Sequence, residues 1–293
     1  MQSKNKLFFL VILAMSILIL GVNGCGTQTP TTSTITGLEM SFVKDAPPVS
    51  VVAGQEFPIY VEVINKGGEI VNKGSAKFYL SGLGQNFENV KSSAVNDKTL
   101  LKESIFPEKL VFAEKAKFTF PIQDFAVFPF VLTSCYDYSS RAQGTLCISA
   151  SNESTVCKFS GEKVTSNTAG PVQLTSITES IVKNKLIVSF DITNKGKGQV
   201  YLQDVNCDKL ETRDFAESQK QGKLNIKITT RDDFICRLQT STGQTEGLEG
   251  IVPIGKVLCE KDISKSDYSS IITVEMRYKY RDSISQSINV NTA

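Results

Sequence analysis

The sequence predicts an all-β protein with two tandem β-sandwich domains after an N-terminal signal or anchor helix. Three observations predict this architecture: short apolar runs rich in Val, Ile, Phe, Tyr and Thr, an internal repeat, and an even number of cysteines beyond the N-terminal segment. The 293 residues are 41% hydrophobic, which is enough apolar chain for one or two domains.

Composition and charge exclude several classes of function. The chain contains no His, which rules out Ser-His-Asp and Cys-His triads and zinc sites that need imidazole. The formal net charge of +2 comes from Lys4 and Lys6. Because the rest of the chain is electrically balanced, the sequence predicts no nucleic-acid partner.

Residues 1–25 have the parts of an export signal or membrane anchor. A short cationic start is followed by sixteen almost continuously apolar residues, Leu7–Val22. The segment Val22-Asn23-Gly24-Cys25 resembles the lipobox of lipoproteins, which implies lipidation of Cys25. An uncleaved helix and full secretion are the alternatives. All three place the remaining chain outside the membrane, so we expect the extracellular face of the cell membrane.

A Thr/Pro/Ser-rich linker, residues 26–34, precedes the first predicted domain, residues 35–158, and a second linker, 159–170, precedes the second domain, 171–293. Short β-type runs fill both domains. The predicted strands are Phe57–Ile64, Ala76–Leu80, Lys109–Phe112, Lys117–Pro121, Val127–Tyr138, Val172–Ile177, Lys185–Thr193, Gln199–Leu202, Leu224–Thr229, Phe234–Thr240, Ile251–Cys259, Ile271–Tyr280 and Ser283–Val290. Only Asp208–Gln221 has the composition of a short helix.

The internal repeat supports two domains of similar design. Phe57–Gly68 and Leu186–Gly198 each predict a strand that ends at Asn-Lys-Gly. Val131–Ile148 and Thr273–Val290 also align, which places Tyr136 and Tyr138 on Tyr278 and Tyr280. Alternation with polar residues predicts that these four tyrosines pack in the core, with their hydroxyls on backbone partners, rather than stack on a ligand.

The Asn-Lys-Gly turn after an alternating strand resembles CARDB-like and other immunoglobulin-like β-sandwich modules of archaeal and bacterial cell-surface proteins. The residues that carry the resemblance are Ile59, Val61, Val63, Asn65, Lys66, Gly67, Ile187, Ser189, Asp191, Thr193, Asn194, Lys195 and Gly196. The resemblance implies two immunoglobulin-like domains. It implies no single function, because such modules serve as adhesins, spacers and subunits of envelope complexes.

Six cysteines remain when Cys25 is set aside, and with an export signal they predict disulfides rather than a metal cluster. Strand parity, together with the joint absence of both cysteines from the second repeat, favours Cys135–Cys147 across a hairpin. Adjacent strands favour Cys236–Cys259. The remaining pair, Cys157–Cys207, would clamp the two domains together.

Other candidate sites have weak support. Ser160 and Lys163 have nucleophile–base spacing but lie in the predicted linker. An acidic group could offer calcium ligands, yet its spacing fits a solvated loop better; its members are Asp204, Asp208, Glu211, Asp214, Asp232 and Asp233. The long polar segment Gly82–Phe106 is the best place for a binding loop in the first domain.

The sequence therefore predicts a non-enzymatic, membrane-anchored protein that binds partners or builds structure in the envelope. The expected partners are the membrane through the N-terminus, and other envelope proteins or surface glycans. No cofactor or metal is expected. An extracellular hydrolase with dispersed carboxylates and a solute-capturing lipoprotein are the alternatives.

Overall fold

The computed structural model describes residues 35–151, 154–240, 243–263 and 266–292, and these belong to one compact unit. The predicted signal segment and Cys25 lie outside the described residues. Within the described ranges, no helix is long and apolar enough to cross a membrane.

Strands dominate the described chain, as the sequence predicts. In chain order they are β1 Leu38–Phe42, β2 Ser50–Val52, β3 Glu56–Asn65, β4 Ala76–Ser81, β5 Phe87–Glu88, β6 Ser93–Val95, β7 Glu108–Phe118, β8 Phe125–Ile148, β9 Val164–Asn167, β10 Val172–Val182, β11 Lys185–Asn194, β12 Gln199–Tyr201, β13 Lys223–Thr229, β14 Ile235–Thr240, β15 Gly243–Gly247, β16 Glu249–Pro253, β17 Gly255–Asp262 and β18 Tyr268–Asn291. Two short helices, α1 (Cys207–Glu211) and α2 (Phe215–Ser218), lie in the one segment predicted to be helical.

The strands form two sheets. A four-stranded antiparallel sheet has the order β1-β3-β7-β5, and the other fourteen strands form the large sheet. In β3, Phe57, Ile59, Val61 and Val63 alternate inward, as a strand with a period of two requires. The small sheet packs on the large one, where Phe42 lies edge-on to Phe130 at 5.0 Å between ring centroids.

Two strands of 24 residues, β8 and β18, pair antiparallel along their whole length. Asp137 and Lys279 lie opposite each other near the middle and form an ion pair at 2.9 Å. The two segments that align as repeats in the sequence are therefore hydrogen-bonded to each other. This pairing joins the first half, which we define as residues 35–158, to the second half, residues 171–292.

Both long strands correct a sequence expectation. A turn was expected between Tyr138 and Leu146, and another between Tyr280 and Ser283, but the backbone is extended through both places. The polar residues there carry no Pro, and each strand supplies the hydrogen-bonding partners of the other over the full length. These polar residues therefore belong to the interior of a long strand, where buried and more exposed positions alternate, rather than to its end.

The extended β8 also overturns two of the three expected disulfides. Cys135 and Cys147 lie on the same strand, twelve residues apart, so at about 3.3 Å per residue they are about 40 Å from each other. Cys135 instead bonds Cys207 at the start of α1, and Cys147 bonds Cys157. The expected pairs Cys135–Cys147 and Cys157–Cys207 are wrong.

The third expected bridge, Cys236–Cys259, is confirmed. Its two residues lie directly opposite each other on β14 and β17. In the segment expected to be a linker, residues 159–170, β9 pairs with β8, and Lys163 is buried in an ion pair with Glu179. Burial raises the pKa of Glu179, against the opposing effect of this lysine.

Candidate binding site

The Asn-Lys-Gly turn has the same hydrogen bonds in both halves. Oδ1 of Asn65 accepts from the amide of Gly67 at 3.0 Å, and its Nδ2 donates to the carbonyl of Glu69. Oδ1 of Asn194 accepts from Gly196 at 3.2 Å, and its Nδ2 donates to Gly198. Asn at this position folds its side chain back on the turn, as its chemistry favours.

The four tyrosines of the paired long strands bond the backbone at or near these turns. The hydroxyl of Tyr136 accepts from the amide of Leu38 at 2.9 Å, and that of Tyr278 accepts from Val172 at 3.4 Å. Tyr138 donates to the carbonyl of Ala169. Each ring lies edge-on or tilted to its neighbours at about 6 Å.

Tyr280 completes this set, because its hydroxyl accepts from the amide of Gly198 at 2.7 Å. Burial raises the pKa of both Tyr138 and Tyr280 to about 12. The predicted core position of the tyrosines and the backbone partners of their hydroxyls are therefore confirmed.

In the first half a long loop, residues 96–107, lies over this turn. The amides of Glu103 and Ser104 donate to the carbonyls of Gly67 and Asn65 at 2.9 and 2.8 Å. Nδ2 of Asn65 also donates to the carbonyl of Leu100, and Leu100 exchanges two backbone hydrogen bonds with Val71. The loop is therefore held at several points by the turn beneath it.

The start of this loop is fixed by one buried amide side chain. Oδ1 of Asn96 accepts from the amide of Ala76, and its Nδ2 donates to the carbonyls of Asn72 and Lys98. Asn96 is almost completely buried. These three hydrogen bonds give partners to backbone groups of Asn72, Ala76 and Lys98, as buried polar groups require.

Between the loop and the turn lies a cavity of about 200 Å³. Its lining residues are Asn65, Lys98, Thr99, Leu100, Leu101, Ser104, Phe106, Pro107 and Glu108. The cavity lies at the C-terminal end of the segment that the sequence marks as the best place for a binding loop.

Glu108, the first residue of β7, is the charged group of the cavity wall that is most deeply buried, with 6% of its surface exposed. Its Oε1 accepts from the amides of Asp97 and Lys98 at 2.5 and 3.3 Å. Its Oε2 is also buried and has no hydrogen-bond partner among the residues that the structure describes. A buried carboxylate oxygen without a donor carries a desolvation cost.

The loop also carries exposed apolar side chains. Phe106 and Leu101 line the cavity and are 79% and 62% exposed, and Ile105, next to Phe106, is also largely exposed. Phe106 keeps its backbone position through Ser104, whose hydroxyl accepts from the amide of Phe106 at 3.1 Å. Large apolar side chains on an anchored loop are typical of recognition surfaces.

Glu108 was not identified from the sequence as a candidate site residue, although its position in the strand pattern indicated that it would be buried. The predicted strand Lys109–Phe112 places Glu108 at the same parity as Leu110 and Phe112, and the structure buries all three. A charged residue in phase with the apolar face of a strand is unusual and indicates a specific partner or function.

The acidic residues considered for calcium are engaged elsewhere. Asp208 accepts from Nζ of Lys77 at 2.6 Å and from the hydroxyl of Tyr79 at 2.7 Å, and these two contacts lower its pKa. Glu211 pairs with Arg281, and Asp214 caps α2 through the amide of Glu217; the remaining pair is Asp204 with Lys220. Among the described residues, no cluster of three His, Cys, Asp or Glu could hold a metal ion.

Two further predicted candidates fall into separate polar clusters. Asp232 is buried and accepts from the hydroxyls of Tyr268 and Ser270, with Lys261 at 3.7 Å. The hydrogen bond that the Tyr268 hydroxyl donates to Asp232 raises the pKa of Tyr268 to about 12. Asp233 does not join these contacts with a hydrogen bond. Nζ of Lys163 donates to the carbonyl of Lys158, so Lys163 serves packing rather than a base for Ser160.

A larger and more open groove, of about 650 Å³, lies in the second half. It runs along β14, β16 and β17, and its charged lining residues are Arg237, Glu246 and Lys256. Among its described lining residues, the groove has no deeply buried group like Glu108, so we take the Glu108 cavity as the candidate site.

No protein-family model and no curated protein matches the chain. Among solved structures, the secreted serine protease VesC from Vibrio cholerae aligns with 83% of this chain and 50% of that chain, at 10% identity and a TM-score of 0.21. The chain thus spans about half the length of that structure. A similarity this low carries no argument about fold or activity.

Proposed function

We propose that the chain is a non-enzymatic binding protein of the cell envelope, anchored in the membrane by its N-terminus and displayed on the extracellular face. The observation that carries this proposal is the set of three disulfides that close Cys135, Cys147, Cys157, Cys207, Cys236 and Cys259. Disulfides persist in oxidising compartments outside the cytoplasm.

The binding role rests on the loop 96–107. Its backbone is held by the turn at Asn65–Gly67, while Leu101, Ile105 and Phe106 stay exposed. A loop that is already ordered loses little conformational freedom when a partner binds. Other envelope proteins and surface glycans are the partners that this surface would meet.

The proposed architecture is that of two immunoglobulin-like domains resembling CARDB-like modules. The matching hydrogen bonds of Asn65 and Asn194 support a duplicated design. The paired strands β8 and β18 would then join the two domains side by side.

The anchor and the location are tested together in cells that express the full chain. Lipidation predicts a membrane-bound protein that starts at Cys25 with an added lipid mass, and Cys25→Ser should abolish that mass while Thr27→Ser, the matched control, keeps it. Trypsin added to intact cells should cleave the chain. A chain that is cut only after lysis would refute display on the surface.

A further inference from the structure

We propose that the side chains of Lys163 and Glu179 are joined by an isopeptide bond between Nζ and Cδ. The two groups are in ion-pair contact, and their side chains are 7% and 0% exposed. Lys163 directly precedes β9, and Glu179 lies on β10. The bond is a covalent modification of the chain itself, and it does not depend on the proposed binding function.

An ordinary ion pair is an unfavourable arrangement at this place. Removing an ammonium and a carboxylate from water carries a large desolvation cost, and their attraction offsets it only when hydrogen bonds also satisfy the remaining donors and acceptors. Oε2 of Glu179 does not meet this condition: it is in contact with Nζ of Lys163 but has no hydrogen-bond partner among the described residues. Condensation replaces the two buried charges with one neutral amide and so removes that cost.

The other contacts of the two side chains fit the product of this condensation. Oε1 of Glu179 accepts from the amide of Cys147 at 2.7 Å, and Nζ of Lys163 donates to the carbonyl of Lys158. In the amide, Oε1 is the carbonyl oxygen and Nζ keeps one hydrogen, so both hydrogen bonds persist. The atom that leaves is Oε2, the carboxylate oxygen that has no hydrogen-bond partner among the described residues.

The reaction needs no further reactant. Nζ first passes a proton to Oε2, which gives a neutral amine and a carboxylic acid; burial favours this neutral pair and raises the pKa of Glu179. The lone pair of Nζ then attacks Cδ, and the amide of Cys147 stabilises the negative charge that develops on Oε1. A second proton moves from Nζ to Oε2. The Cδ–Oε2 bond breaks with its electron pair, the C=O bond to Oε1 forms again, and one water leaves.

The fold holds the two reacting groups together. The amide of Thr145 on β8 donates to the carbonyl of Lys163 at 2.9 Å, and Glu179 pairs with Val188 of β11. Groups that are held in contact react with effective molarities of about 10⁵–10⁸ M, far above any concentration of free amine and acid in solution. The resulting bond would fix the segment between the two halves, residues 159–170, to β10.

Tryptic peptide mapping of the purified full chain, reduced and alkylated, tests the bond. An isopeptide bond at Lys163 blocks cleavage after that residue, so we expect one peptide, residues 159–183. Its mass should be about 18 Da below that of the sequence, because the condensation releases one water. Fragmentation of this peptide should place the link between Lys163 and Glu179. A free lysine would instead give two separate peptides, residues 159–163 and 164–183.

Two variants assign the link to one carboxylate. Glu179→Ala should restore cleavage after Lys163, whereas Glu162→Ala, which removes the exposed carboxylate next to Lys163, should leave the link in place. The map of the wild-type chain decides the question even where Glu179→Ala fails to fold. Separate peptides from the wild type, an uncut peptide of full mass, or a water loss that persists in Glu179→Ala or disappears in Glu162→Ala would overturn the proposal.

Discussion

The two Asn-Lys-Gly turns show how one structural unit serves two purposes. Both Asn65 and Asn194 accept from the glycine two residues later and donate to the carbonyl four residues later. Asn65, however, is fully buried under the loop 96–107 and makes one further bond, to the carbonyl of Leu100. Within the described part of the second half, no such loop bonds the side chain of Asn194, which stays half-buried.

This difference distinguishes the features that build the fold from those that form the candidate site. Both halves share the turn and the tyrosines, whose hydroxyls link the backbone at Leu38, Ala169, Val172 and Gly198 to β8 and β18. The features found only in the first half are the loop, the cavity and Glu108. Folding explains the features that both halves share, so the features of one half alone are the better candidates for function.

The largest expected effect concerns the bridge that only the first half's long strand carries. Cys135 bonds Cys207, whereas the aligned position of β18 is Arg277. The double variant Cys135→Ser/Cys207→Ser opens a loop with a sequence separation of 72 and should lose about 4 kcal/mol of unfolding free energy. Cys147→Ser/Cys157→Ser, with a separation of 10, should lose about 3 kcal/mol.

Denaturant unfolding of both double variants checks this ranking. If Cys147→Ser/Cys157→Ser lost more unfolding free energy than Cys135→Ser/Cys207→Ser, loop closure would not set the contribution of each bridge. Strain in the folded state or residual structure in the unfolded state would set it instead.

Removal of the two asparagines tests the comparison itself. Asn65→Ala leaves the carbonyls of Glu69 and Leu100 and the amide of Gly67 without their partner, and should cost about 3 kcal/mol. Asn194→Ala affects a half-exposed turn that water can reach, and should cost about 1 kcal/mol. Thermal or chemical unfolding measures both costs. Equal losses of unfolding free energy in the two variants would show that the burial of Asn65 adds nothing to the stability of its turn.

The turn glycines should behave alike, because both touch a tyrosine. A Cβ at Gly67 would lie 1.7 Å from the hydroxyl oxygen of Tyr138, and a Cβ at Gly196 would lie 2.2 Å from that of Tyr280. Gly67→Ala and Gly196→Ala should each cost about 2 kcal/mol through overpacking. Calorimetry that finds one substitution neutral would show that its tyrosine can move away.

The smallest effect concerns a contact between the halves, Lys77–Asp208. Lys77 and then Tyr79 lower the pKa of Asp208 in the folded state, so its stabilisation is present above the unfolded pKa and is lost as the pH falls through the folded pKa. Because the pair is largely exposed, Asp208→Asn should cost less than about 1 kcal/mol at pH 7.

The stability difference between wild type and Asp208→Asn should vanish in acid, below the lowered pKa of Asp208. Unfolding curves at pH 7 and in acid measure it. A difference that persists unchanged in acid would show that the contact acts through packing rather than charge.

Local patterns in the sequence predicted the strands and the buried tyrosines. Alternation in β3 and β11 is a local property, and so is the turn after each. The length of β8 was not predictable, because it depends on β18, a partner far along the chain. Two disulfide pairings failed for the same reason: they assumed a hairpin that the long strand does not make.

The candidate site was predictable only in part. The segment Gly82–Phe106 was recognised by its length and polarity, and its end does form the cavity wall. Glu108 escaped notice, although its parity with Leu110 placed a charge on the buried face. The amides of Asp97 and Lys98 donate to Oε1 of Glu108 and leave Oε2 without a donor. No local sequence pattern reveals these tertiary contacts.

The central claim is that the chain meets its partner through the first-half loop, and lysine footprinting on intact cells tests it most directly. A membrane-impermeant acylating reagent is applied to whole cells and to the purified protein, and the labelling of exposed Lys98 and Lys102 is compared with that of exposed Lys195 and Lys197 beside the second turn. We predict that Lys98 and Lys102 are protected in cells while Lys195 and Lys197 are labelled equally in both samples. Equal labelling of all four lysines in cells and in solution, or protection confined to Lys195 and Lys197, would contradict the account.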